Sequence, residues 1–143
     1  MPHDPQSIVE GLYASWKARD LTQVLALLSD DMVFVLHIPA DVAPFGGEMR
    51  GKAAVTAALQ GLLDTYDFVV YEPQSVSANG AQVNAEVRFR YRHRVTGELI
   101  DSRLRHSWVV EAAKIKRLDE WHDLPTVKTF FARVALRAAN KTA

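Results

Sequence analysis

The chain has no cysteine, which excludes disulfide staples, thiolate metal sites and cysteine nucleophiles together. It has no excess of one charge: 17 Lys and Arg balance 17 Asp and Glu, for a formal net charge of zero. No global field therefore draws it to nucleic acid or to an anionic lipid surface. No apolar run approaches the ~20 residues of a membrane-spanning helix. The N-terminal MPHDPQS lacks the basic stretch followed by an apolar core that marks a secretory leader. The expectation is a soluble, cytoplasmic protein. Gly-rich phosphate motifs, GxSxG and HExxH are absent as well, and neither His3-x-Pro5 nor His122-Asp123 has metal-ligand spacing. Neither a cofactor nor a metal is expected, and nucleic acid and membrane are not expected partners.

What is present is apolar material: 48% of the 143 residues are hydrophobic and 9% aromatic. That composition excludes disorder, and the absence of repeats, low-complexity tracts and linkers makes 1–143 one expected domain. Asp4 before Pro5 is a helix start, with the carboxylate as cap and Pro where no bond is lost. Ile8, Leu12 and Trp16 then recur at helical spacing, with Val9 and Tyr13 beside them. Asp20 with Gln23 reads as a second cap, leading into Leu21, Val24, Leu25 and Leu28. The run from Met32 to Ile38, which contains Phe34 and is broken only by His37, predicts a buried strand closed by Pro39. Residues 39–50 read as a loop, and Val55, Leu59, Leu62 and Tyr66 as a third amphipathic helix.

The back half reads as strands. Asp67 to Ser77 is followed by the hairpin signal Asn79-Gly80. From Val83 to Val95 the alternation is strict: Val83, Ala85, Val87, Phe89, Tyr91 and His93 share one face, and Arg88, Arg90, Arg92 and Arg94 the other. After Thr96-Gly97, Leu99 to Val110 returns with Ile100, Leu104, His106, Trp108 and Val110 together, and a turn at Ala112-Ala113 leads into Ile115 to Asp123. Val127, Phe130, Phe131 and Val134 then predict a C-terminal helix. The class is α+β, helices first and then a long antiparallel meander.

Two-residue turns set opposite partners. Around Thr96-Gly97 they place Tyr91 against Ser102, Phe89 against Leu104 and Ala85 against Trp108. Around Ala112-Ala113 they place His106 against Asp119, Leu104 against Trp121 and Ser102 against Asp123. A one-residue bulge would turn the second set onto the other face. In this register an apolar face carries a polar cluster of Tyr91, His93, Ser102, His106, Arg117, Asp119 and Asp123, the composition of a small-molecule pocket. His106 and Asp119 form either a general acid/base pair or a satisfied pair that ties two strands. Tyr13, Trp16, Phe34, Phe89, Leu104, Trp108 and Trp121 are the candidate pocket walls, His37 sits near its mouth, and Asp123 is either a site carboxylate or a helix cap. On the opposite face Arg90 meets Arg103 and Arg88 meets Arg105, like charges that need Glu86, Asp101, Glu120 or a second subunit to offset them. That face reads as a homodimer interface or a solvated lattice of ion pairs.

The segments Tyr13-Ala-Ser-Trp16-Lys-Ala-Arg19-Asp20-Leu21, Leu36-His37-Ile38-Pro39, Gly46-Gly-Glu-Met-Arg50-Gly51-Lys-Ala-Ala-Val55 and Lys114-Ile115-Lys-Arg-Leu-Asp119-Glu120-Trp121-His122-Asp123 resemble the nuclear transport factor 2-like superfamily, and within it the SnoaL-like branch of small polyketide cyclases related to ketosteroid isomerases. The resemblance implies a cone-shaped curved sheet wrapped around the N-terminal helices, an apolar pocket, a homodimer and proton-transfer chemistry without cofactor. By the same resemblance His37-Ile38-Pro39 stands where ketosteroid isomerases carry an Asp base, and Tyr13 or Trp16 where they carry an oxyanion Tyr. Asp119 near His106 matches the acidic residue of SnoaL-like cyclases. Arg103-Leu104-Arg105 lacks the Arg-x-Asp of limonene epoxide hydrolases, which sets epoxide hydrolysis aside. The expectation is an isomerase or cyclase acting on an apolar carbonyl compound, with His106 and Asp119 as acid and base and His37 and Tyr91 polarising the oxygen. The alternative is a ligand-binding or dimerisation module without chemistry.

Overall fold

A computed structural model describes residues 4–142; His3 and the first residues of the N-terminal segment lie outside them. Helix α1 (Pro5–Lys17) begins as its cap dictates, with Asp4 Oδ1 accepting from the Ser7 amide at 2.7 Å. Its Ile8, Val9, Leu12, Tyr13 and Trp16 are all buried. Asp20 caps the short α2 (Leu21–Ala26) through the Gln23 amide. Then come β1 (Leu28–His37), β2 (Gly47–Arg50), α3 (Lys52–Thr65), β3 (Tyr66–Asn79), β4 (Gln82–His93), β5 (Leu99–Glu111), β6 (Lys114–His122) and α4 (Leu124–Thr142).

The six strands form one open sheet in the order β2-β1-β6-β5-β4-β3. All neighbours are antiparallel except β1 and β6, which run parallel. Strand β2 lies inside the stretch expected as loop, where Glu48 and Met49 pair with Val35 and Phe34. Pro73 is tolerated because β3 is an edge strand with a partner on one side only. Bulges in the β1–β6, β3–β4 and β5–β6 ladders bend the strands, and α1 and α3 pack against the sheet.

Two registers differ from expectation, with opposite consequences. The β4–β5 connection has four residues, not two: the His93 amide donates to the Glu98 carbonyl and Gly97 closes back on His93. Pairing therefore moves by two, to Tyr91 with Ile100, Phe89 with Ser102 and Val87 with Leu104. A shift of two keeps every side chain on its expected face. At the second hairpin the two-residue turn holds, with Ala112 and Ala113 both at positive φ and Val110 opposite Ile115. A bulge then intervenes. Val109 pairs with Arg117, so Lys116 is the extra residue and everything beyond it reverses. Leu118, Glu120 and His122 turn inward, while Arg117, Asp119 and Trp121 turn outward.

The arginine-rich outer face is offset differently as well. Arg90 faces Asp101 and Arg105 faces Glu86, while Arg88 and Arg103 are left opposite one another. Arg88 lies between Glu72 and Asp101 at 4.0 and 3.9 Å, and Asp67 takes Arg92 and Arg94 at 2.6 and 2.9 Å. Glu120 plays no part in this lattice, because the bulge carries it to the inner face.

Candidate functional site

Between the inner sheet face, α1, α3 and α4 lies a cavity of about 140 Å³. Its wall is overwhelmingly apolar. Trp16 comes from α1, Phe34 from β1, Phe89 and Tyr91 from β4, Leu104 and Trp108 from β5, and Phe130 and Phe131 from α4. Among the described residues, Glu120 is the carboxylate that lines it.

That carboxylate organises the polar end. His106 Nε2 lies 2.6 Å from Glu120 Oε1, and His122 Nε2 lies 2.7 Å from Oε2. Behind His106, its Nδ1 is 2.7 Å from the Tyr13 hydroxyl, which itself accepts from the Trp108 indole at 3.0 Å. The chain of donors fixes the protons. Trp108 donates to Tyr13, Tyr13 donates to His106 Nδ1, and His106 presents Nε2–H to Glu120. His122 likewise presents Nε2–H to the other carboxylate oxygen, which leaves its lone pair on Nδ1. That Nδ1 is buried and has no hydrogen-bond partner. Burial alone would raise the Glu120 carboxyl, yet the hydrogen bonds from His106 and His122 win and hold it well below the usual carboxylate range. Glu120 is therefore an anion inside an apolar wall, stabilised by two imidazoles.

The tyrosines shift the other way. Burial raises Tyr13, Tyr71 and Tyr91 far above an ordinary phenol, and pushes Tyr66 up to about 12. All four keep their protons at neutral pH. Tyr91 lines the cavity as well, and unlike Tyr13 it does not spend its O–H on His106. The Phe89 ring sits between the Tyr91 and His122 rings, with centroids 4.9 and 5.6 Å away.

The structure thus brings together most of the expected wall but not the expected pair. Trp16, Phe34, Phe89, Tyr91, Leu104, His106 and Trp108 all line the cavity. Tyr13 stands behind that wall and reaches it through His106. Asp119 does not meet His106. It lies on the outer face, where His37 contacts it at 2.9 Å and Arg117 donates to both of its oxygens. His37 also leaves the site, stacking on Trp121 at 4.7 Å, outside the cavity. Trp121 faces outward, with the Arg105 guanidinium 5.4 Å from its ring. Asp123 is the cap of α4: its carbonyl accepts from the Val127 amide and its side chain from the Thr126 hydroxyl. The two residues that sequence reasoning missed are Glu120 and His122. A signal for them exists in the spacing of Ile115 and Leu118, since two buried positions three apart share a strand face only across an inserted residue.

Among the described residues, no group of three or more His, Cys, Asp or Glu is arranged to hold a metal ion, and no helix is long and apolar enough to cross a membrane.

An open, bulged sheet enclosing an apolar cavity behind an N-terminal helix is the nuclear transport factor 2-like fold, and solved structures agree. A nuclear transport factor 2-like protein from Burkholderia thailandensis E264 is similar with a TM-score of 0.75 at 21% identity, over 90% of this chain and 95% of that one. A presumed isomerase from Rhodopseudomonas palustris matches with a TM-score of 0.76 at 20% identity, over 87% of this chain and 92% of that one. TerC, co-crystallised with polyporic acid, matches with a TM-score of 0.78 at 18% identity, over 90% and 99%. The chain belongs to the SnoaL-like domain family, which it matches over residues 9–118. Glu120 and His122 lie just past that match. No curated protein matches the chain in sequence.

Proposed function

We propose that the cavity is an active site for proton transfer next to the carbonyl of an apolar small molecule, of the isomerase or cyclase kind. One observation carries the reading: the Glu120 carboxylate, largely shielded from solvent, is held between two imidazoles, and the buried Nδ1 of His122, a residue that lines the cavity, is left without a partner. Glu120 fixes the His122 proton on Nε2, so Nδ1 is the basic atom. Nδ1 takes a proton from the carbon beside the carbonyl, and the C–H electrons pass to the carbonyl oxygen. The resulting imidazolium is balanced by Glu120. Tyr91, half-buried and with its proton intact, donates to the enolate oxygen. Returning the proton to a different carbon isomerises the substrate, and attack of the enolate carbon on an internal electrophile closes a ring. His106, backed by Tyr13 and Trp108, holds Glu120 in place. These roles replace the expected pairing of His106 with Asp119. The likeness to a presumed isomerase and to TerC supports the reading.

The test is turnover of a panel of β,γ-unsaturated cyclic ketones, followed by the ultraviolet absorbance of the conjugated product. His122→Ala should lower kcat/KM by about 10²–10⁴-fold, the usual contribution of a general base, while Asp119→Asn and His37→Ala should leave it unchanged. Burial of Nδ1 favours a second reading, a binding module without chemistry; ligand binding with no wild-type turnover across the panel would support it. We also propose a homodimer through the outer sheet face, where arginine rows alternate with Asp67, Glu72 and Asp101; light scattering after size exclusion would return the monomer mass if this is wrong.

A further inference from the structure

The β1–β2 connection carries a bulky residue where the backbone asks for glycine. The Gly46 amide closes on the Ala43 carbonyl at 3.1 Å, which makes Ala43-Pro44-Phe45-Gly46 a turn with Pro at its second position. Its third position is Phe45, at φ +64°. That left-handed region suits Gly or Asn, and an aromatic residue there is an outlier. The turn itself is pinned. The Val42 and Ala43 amides both donate to the Pro39 carbonyl, and a Cβ on Gly46 would come within 2.4 Å of the Ile38 carbonyl oxygen.

The Phe45 ring goes to a place prepared for it. A Cβ on Gly61 of α3 would lie 2.7 Å from Phe45 Cε2 and 3.2 Å from Cζ, so the ring lies flush on the helix at its one interior residue without a side chain in that direction. Phe45 lines the cavity and is also 43% exposed. Among the described residues that line the cavity, Pro44 and Phe45 are the most open to solvent; the others are buried or half-buried.

We propose that the Phe45 side chain is the gate of the cavity, closed against Gly61 and swinging off α3 to admit or release a ligand. The inference rests on the reading of the cavity as a ligand site. A fixed turn with a strained residue at its tip places the movement in the side chain and not in the loop. Gly61 is the seat: any side chain there holds the gate ajar.

The experiment is stopped-flow fluorescence with 2-naphthol as a neutral probe, on wild type, Phe45→Gly, Phe45→Leu and Gly61→Ala. Phe45→Gly keeps the φ that glycine prefers and removes the ring, so both association and dissociation rate constants should rise by about tenfold or more while Kd moves by less than about threefold, as for a barrier removed from both directions. Gly61→Ala should move both rate constants the same way by displacing the ring, and Phe45→Leu should stay near wild type. Binding by the variants with rates equal to wild type would overturn the gate and leave the cavity reading standing. No binding by any of the four proteins would overturn both.

Discussion

Tyr13→Phe removes one oxygen from the middle of a buried chain. Tyr13, Trp108 and His106 are 3, 3 and 4% exposed, so water cannot replace the lost partner. The change strands the Trp108 indole N–H, which donates to Tyr13 at 3.0 Å, and His106 Nδ1, which stands 2.7 Å from the same hydroxyl. Each stranded group costs about 1–3 kcal/mol, and the phenylalanine ring keeps the apolar contacts, so the loss should be about 3 kcal/mol. At about 3 °C per kcal/mol for a chain of this size, Tm should fall by roughly 10 °C. Urea denaturation followed by circular dichroism at neutral pH gives the free energy directly, with an unchanged m-value as the check that the denatured state is the same. A loss under about 1 kcal/mol would mean that the hydroxyl is not the link between Trp108 and His106, and the proton order derived for the whole chain would fall with it.

Three further outcomes follow from the same geometry. Glu120 is held below its unfolded value near 4.5, so it contributes stability that is fully present above that pH and drains away as pH falls below it; the stability gap between wild type and Glu120→Gln should therefore shrink between pH 6 and 3, and a gap that widens with acid contradicts the assignment. Ala112 and Ala113 both sit at positive φ in the β5–β6 turn, where an alanine costs roughly 1–2 kcal/mol. Ala113→Gly should accordingly raise stability by about 1 kcal/mol in denaturant titration, and no gain would place the strain elsewhere. On the outer face, Asp119→Asn breaks contacts to His37 and Arg117 without touching the cavity wall; a changed affinity for 2-naphthol in that variant would show that the outer cluster belongs to the site after all.

The architecture was legible because it is written locally. Asp4 and Asp20 announce their helices through a carboxylate that can reach a free amide, and the alternation from Val83 to His93 states which side chains share a face. The site was legible only as far as that alternation stays unbroken. At the Thr96-Gly97 connection the register error was two residues, so Phe89, Tyr91, Leu104 and Trp108 still reached the cavity wall. At Lys116 the error was one, and one residue exchanges faces: Asp119 and Trp121 went out, Glu120 and His122 came in. A second reason lies in Glu120 itself. An isolated carboxylate is seldom buried, and only the two histidines, one of them on another strand, make its burial tolerable. The parallel pairing of β1 with β6 joins segments about eighty residues apart in number, as Val35 with Asp119, and no local pattern encodes such a pairing.

The central claim is that His122, held by Glu120, takes a proton from carbon inside the cavity. Its most direct test is deuterium wash-in at the carbon beside the carbonyl of 2-tetralone in D₂O, followed by proton NMR with wild type, His122→Ala and Glu120→Gln at equal concentration. Exchange well above the buffer rate for wild type, falling to the buffer rate in both variants, is the predicted result. Exchange by His122→Ala as fast as by wild type would contradict it.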